Sequence, residues 1–384
     1  MKSNFMERAM IRTRLSEAYD AYCNGQEPKA AELNHEAAEM AAAIGEKDLE
    51  QHARRWQGNS LMWSGRYEEA FRVLTMAASY DHPDADPAAV YGAKTDRILL
   101  SLSIAPAAFC RELLLDGRAY LARVAKPHWS HRLEMLEGIL HYRQGDYTRA
   151  AEFAGRAIRL VEPCMDGPCY AKSAHVKWVT RPLFHTRQVD ALIQWNEQAG
   201  RDTGHMISDR LRQGCVRMLA LRLERANGED VEDTLRAEAR NITVIALNMR
   251  GIWDEVFEVG RALMLTGDWD TLDRLPVGKL CPLPFENALY AADCVINRLR
   301  RKCDLPAWDG DLDWPPATPL AANGAAIEET DLLNLRNTLA KLREEAARED
   351  QRMETKICAL ATKRRVEHVA TLLPGIDWGR GGGK

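Results

Sequence analysis

The chain has 384 residues, 46% of them hydrophobic, with 52 Lys and Arg against 56 Asp and Glu and a formal net charge of −4. This is ample for a large buried core, and it excludes both a disordered composition and a global basic field for holding nucleic acid. Nine scattered cysteines fit reduced thiols in a cytoplasmic compartment better than a disulfide framework. The first residues carry charges every few positions and lack the apolar segment of a signal peptide, and no stretch approaches the roughly 18 apolar residues of a membrane span. The longest, 98–110, contains Pro106.

Along the chain, "GRYEEAFRVLTMAA" from Gly65 is echoed by "GDYTRAAEFAGRAI" from Gly145. At that shift of 80, Gly58, Gly65, Tyr67, Ala70, Ala77 and Pro83 coincide with Gly138, Gly145, Tyr147, Ala150, Ala157 and Pro163. Gly25, Ala30 and Ala37 stand 40 positions before Gly65, Ala70 and Ala77, so the period is about 40. The unit near Ala105 lacks the glycine, whereas Gly228 and Gly267 keep the spacing.

A glycine ending one helix permits a left-handed reversal, and the alanines lie two turns apart on one face of the next helix, allowing close approach. Pro83 and Pro163 are expected to end that second helix. The repeating unit is therefore a helical hairpin. Residues 276–284 interrupt the pattern before an expected helix from Phe285 to Lys302. Residues 304–324, rich in proline and acids, read as a solvated strap pinned by Trp308 and Trp314. Residues 325–374 read as one long capping or docking helix with Leu332, Leu335, Leu339 and Leu342 at helical spacing, and 375–384 as a flexible tail.

The chain contains no nucleotide-binding loop, HExxH pair or nucleophile elbow. His128, His131 and Glu134 could share a helix face and hold a catalytic metal, but spacing alone supports this, and histidines in a first helical turn are more often surface contacts. Cys164 and Cys169 lack the second pair that a zinc site needs. "DGDLD" at 309–313 lacks the later glycine and glutamate of a calcium loop. No cofactor and no metal are expected. The basic clusters at 298–302 and 363–365 have no aromatic platforms beside them, and the first also suits a helix C-terminus, so they argue little for nucleic acid.

The repeated Gly, Gly-x-Tyr and small-residue positions resemble the tetratricopeptide-like repeat superfamily, in its longer-repeat branch, over residues 10–275. The position before the first-helix glycine departs from the usual leucine, being Gln57 in one unit and Glu137 in the other. The resemblance implies an all-α, right-handed α-solenoid of six to seven hairpins over residues 1–303, closed by the C-terminal helix. Some members grip a peptide carboxylate with a basic residue and an asparagine one turn later. Arg55 and Asn59 match those offsets, although Asp96 stands where the next unit would carry asparagine. Carrying the same face to other units adds Arg12, Ser16, Tyr19, Trp56, Trp63, Arg132 and Tyr142, an aromatic and basic mix suited to a peptide or helix. Trp56 and Trp63 would equally serve as packing between repeats. The expected role is a non-catalytic adaptor, scaffold or regulatory subunit that binds a partner in the concave groove. A peptide sensor that changes shape on binding, and a metal-dependent enzyme using His128, His131 and Glu134, are the alternatives.

Overall fold

A computed structural model describes residues 2–80, 85–124, 126–161, 170–201, 207–247, 253–275, 283–312 and 327–379. The expected helix-ending Pro83 and Pro163, the Cys164 and Cys169 pair, Trp314 and most of the 276–284 break lie outside them.

Among the described residues seven successive pairs of helices form the array. They are α1 (Lys2–Cys23) with α2 (Glu27–Ala43), α3 (Lys47–Trp63) with α4 (Tyr67–Ala78), α5 (Pro87–Ile104) with α6 (Ala107–Val124), and α7 (Ser130–Arg143) with α8 (Tyr147–Val161). There follow α9 (Tyr170–His185) with α10 (Val189–Arg201), α11 (Ile207–Ala226) with α12 (Glu232–Ala246), and α13 (Trp253–Leu265) with the four-residue α14 (Trp269–Leu272). The chain finishes with α15 (Pro284–Lys302), α16 (Glu329–Met353) and α17 (Ile357–Leu372). Each first helix packs on its own second helix and on the first helix of the next pair, from α1 through to α15. Over the described residues the fold is an all-α solenoid of helical hairpins.

The repeated glycines do what their spacing requires. Gly65 and Gly145 have φ of 82° and 79°, and the residues after them donate back to Leu61 and His141 carbonyls at 2.9 and 3.0 Å, closing each first helix. Where the glycine is missing, Ala105 leaves α5 in extended backbone before Pro106, and Arg187 adopts the left-handed conformation at φ 56° after α9. Within the hairpins Ala70, Ala77, Ala150 and Ala157 are buried. A β-carbon on Gly138 would come within 3.1 Å of the Ala150 carbonyl oxygen, so this first helix lies directly on the backbone of the second.

The C-terminal segment departs from the expected single helix and loose tail. Glu354, at φ 57°, breaks the helix into an α16–α17 hairpin, and the buried Asp350 carboxylate accepts from the Cys358 and Ala359 amides at 3.0 and 2.7 Å, capping α17. Trp378 is buried against this hairpin, so residues 375–379 fold back onto the protein. The hairpin also returns to the middle of the array. Arg352 Nη1 donates to the Ala105 carbonyl at 2.5 Å, Gln144 Nε2 donates to the Met353 carbonyl at 3.0 Å, and Thr355 Oγ1 donates to the Gln144 carbonyl at 2.9 Å. These bonds tie α16 to the ends of α5 and α7, where exposed helix C-terminal carbonyls favour donors and cations. Among the described residues every cysteine is free, and no helix is long and apolar enough to cross a membrane.

Candidate binding groove and chamber

The residues expected to line the groove fall into three groups. Arg12 is exposed on α1, and Tyr19 is 51% exposed with its ring edge-on to Trp56 at 6.1 Å. Arg55 stands 5.3 Å over the Trp56 ring. Its Nε donates to Asp96 Oδ2 at 3.2 Å, and Arg132 Nη2 donates to Asp96 Oδ1 at 2.7 Å. One buried carboxylate, Asp96, thus sits between two guanidiniums and joins α3, α5 and α7. The Asn59 side-chain oxygen is buried without a hydrogen bond among the described residues. Trp63 is half-buried against the core built around α11–α15, and Arg212 of α11 lies 5.8 Å from its ring. It spans from the third helix to the eleventh rather than facing open solvent.

Tyr142 belongs elsewhere. Its hydroxyl lies 3.1 Å from His185 Nε2, and His185 stacks on Tyr147 at 4.6 Å. These rings form one wall of a chamber of about 110 Å³ that Arg143, Arg181, Glu258, Arg261, Glu286 and Asp311 also line, with α17 closing it through Ile357 and Cys358. A water occupies roughly 30 Å³ of liquid, so the chamber suits a few waters or the end of one side chain.

Most of the charges around the chamber are paired. Arg222, with 0% of its side chain exposed, holds Asp309 through two bonds of 2.8 Å, Glu258 at 2.5 Å and Asp311 at 3.3 Å. Arg365 grips Asp293 at 2.7 and 2.9 Å and reaches Asp311 at 3.3 Å. Burial works against ionisation of Asp311, but Arg261, Arg365 and Arg222 outweigh it and hold this carboxyl well below its ordinary value. Burial likewise holds the His185 imidazole below its ordinary value. Glu286 has no hydrogen bond or ion pair among the described residues. Burial pushes its carboxyl above the ordinary 4.5, an effect that Arg261, Arg143 and Arg181 offset only in part.

A raised carboxyl in the folded state means that the fold binds more protons than the unfolded chain. Its contribution to stability is therefore lost as pH rises from near 4.5 through the folded value. Glu286→Gln is expected to raise the melting temperature at pH 7 and to leave it unchanged near pH 4, as read by thermal denaturation at both values.

Sequence reasoning missed most of this network. It read 304–324 as a solvated strap pinned by its tryptophans; Trp308 is buried, but so are Asp309 and Leu312. The available signal was an arginine in an apolar run, "MLALRLE" around Arg222, whose charge needs a buried partner once that helix is internal. The proposed metal ligands are committed otherwise. Glu134 pairs with Arg156 at 2.9 Å and Arg118 at 3.4 Å, and His131 Nδ1 faces the His128 carbonyl at 2.9 Å. Among the described residues no three His, Cys, Asp or Glu side chains gather as a metal site.

No protein-family model matches the chain, and no curated protein matches it. Among solved structures it is similar to a Rap protein crystallised in complex with Competence and Sporulation Factor. The two share 13% identity with a TM-score of 0.47, over 93% of this chain and 96% of that one.

Proposed function

We propose that this chain is a non-catalytic adaptor or regulatory subunit that takes a peptide or helix of a partner protein along its inner face. Tyr19 and Trp56, then the Arg55, Asp96 and Arg132 ribbon, offer apolar and polar contacts across successive first helices, and the ribbon leads toward the chamber beside Tyr142. The observation that carries the reading is Glu286. This half-buried carboxylate lines the chamber, is raised above its ordinary value and has no hydrogen bond or ion pair among the described residues, so it offers an acceptor to a donor on a partner's side chain.

The test is affinity capture of the tagged chain from native lysate, beside an Arg55→Ala/Trp56→Ala/Arg132→Ala variant and a Glu286→Gln variant, read by mass spectrometry. Both variants are first confirmed as helical by circular dichroism. A partner held by the unmodified chain should be lost from the triple variant and depleted from Glu286→Gln. Full recovery with both would overturn the reading.

A second reading, a sensor that changes curvature on binding, is favoured by Trp63, whose contact with Arg212 joins distant helices across the array. It requires the radius of gyration in small-angle scattering to change when the captured partner's peptide is added.

A further inference from the structure

The strap is held as a solenoid holds an extended peptide. Asn297 of α15 makes two bonds to the main chain of Trp308, donating Nδ2 to its carbonyl at 3.0 Å and accepting its amide on Oδ1 at 2.7 Å. Four further strap carbonyls accept from arginines. Pro306 accepts from Arg300 at 2.7 Å, Ala307 from Arg225 at 3.1 Å, Asp311 from Arg364 at 2.6 Å, and Leu312 from Arg187. These donors stand on α11, α15 and α17 and on the turn after α9. Bonds to main-chain groups set the path of a peptide without regard to its sequence, while side-chain pockets set its identity.

Those pockets are equally defined. The Trp308 indole lies 3.9 Å from the His368 ring at an interplanar angle of 4°. Asp309 enters the two-pronged grip of Arg222, Asp311 lies among Arg222, Arg261 and Arg365, and Leu312 joins Phe184 and Leu219 in an apolar cluster. Gly310 is the residue that allows the path, since a β-carbon there would lie 2.6 Å from Arg365 Nη2 and 2.8 Å from Asp293 Oδ1. Paired buried charges stabilise a fold less than well-packed apolar groups of the same shape, so a polar grip of this kind suits a contact that is made and released.

We propose that the surface formed by α11, α13, α15 and α17 is a binding site for an extended acidic peptide of the form aromatic-Asp-Gly-Asp-aliphatic, which residues 308–312 of this chain occupy in cis. A partner segment of the same chemistry exchanges with the strap and frees α17. The chamber beside Glu286 shares Phe184, Leu219, Arg261 and Asp311 with this site, whereas Tyr19, Arg55, Trp56, Asp96 and Arg132 stand on α1, α3, α5 and α7, and the proposal stands whether or not those five residues bind a partner.

The probe is a fluorescein-labelled peptide with the sequence of residues 305–312, LPAWDGDL, and its double Asp→Asn counterpart. Full-length Trp308→Ala, whose strap lacks its aromatic anchor, should bind the acidic peptide at least tenfold more tightly than the unmodified chain does, with the Asn peptide binding at least tenfold more weakly. A folded Trp308→Ala chain that shows no preference for the acidic peptide would overturn the proposal. If the variant does not fold, hydrogen exchange of the unmodified chain decides. Excess acidic peptide should speed exchange in residues 357–372, and unchanged exchange there overturns the site.

Discussion

Asp309→Ala should cost the chain about 3–5 kcal/mol of stability, because it leaves a fully buried guanidinium without its two-pronged partner. Arg222 would keep Glu258 at 2.5 Å and Asp311 at 3.3 Å, but Glu258 is shared with Arg261, and Asp311 with Arg261 and Arg365. Phe184, 4.5 Å from the guanidinium, offers a ring face and no acceptor. Denaturant unfolding of Asp309→Ala beside Asp309→Ala/Arg222→Met separates the causes. Removing both charges should recover most of the loss, since it is the unpaired cation, more than the missing bond, that destabilises. A double variant as unstable as the single one would mean that Asp309 acts mainly through the packing of the strap.

Trp308→Ala should cost a similar ~3–5 kcal/mol, the range for emptying a large aromatic site, with the loss concentrated in the C-terminal hairpin. The indole is 2% exposed and packs in the cluster built from α15, α16 and α17, so its removal loosens that layer while the hairpins from α1 to α4 keep their own cores. Hydrogen exchange should show protection lost in residues 357–372 and retained in residues 47–78.

The change also has a pH signature. Burial, and then the charges of Arg300, Arg364 and Arg365, hold His368 down to about 3 from its ordinary 6.5. The folded value is the lower one, so this histidine's contribution is complete above 6.5 and is lost as pH falls toward 3. Opening the indole site admits water to the imidazole, and stability of Trp308→Ala should therefore fall less steeply with acid than that of the unmodified chain. Equal slopes would mean that the arginines, and not burial, govern His368.

The hairpin array was legible because its requirements are local. A left-handed turn at Gly65 or Gly145 and an alanine contact at Ala70 or Ala150 depend on residues a few positions apart, so they repeat in the sequence wherever the hairpin repeats. Even the weak unit was visible, since Ala105 and Pro106 replace the glycine with an extended exit. The expected groove was readable only as a list of positions. That Arg55 and Arg132 meet on Asp96, and that Trp63 reaches α11, depends on how far each hairpin rotates relative to the last, and no short-range pattern encodes that rotation.

The strap shows the limit most clearly. Its prolines and aspartates describe a solvated linker by composition, and the same aspartates become buried when arginines from α11, α13 and α17, 50 or more residues away, converge on them. The sequence by itself determined the helices, their turns and their period of about 40, because those follow from backbone conformation and side-chain volume within one hairpin. Only the tertiary structure decided which charges lose their water, and that Glu286 on the chamber wall has no hydrogen bond or ion pair among the described residues. The desolvation of a charge depends on everything packed around it, and most of what surrounds these groups comes from distant parts of the chain.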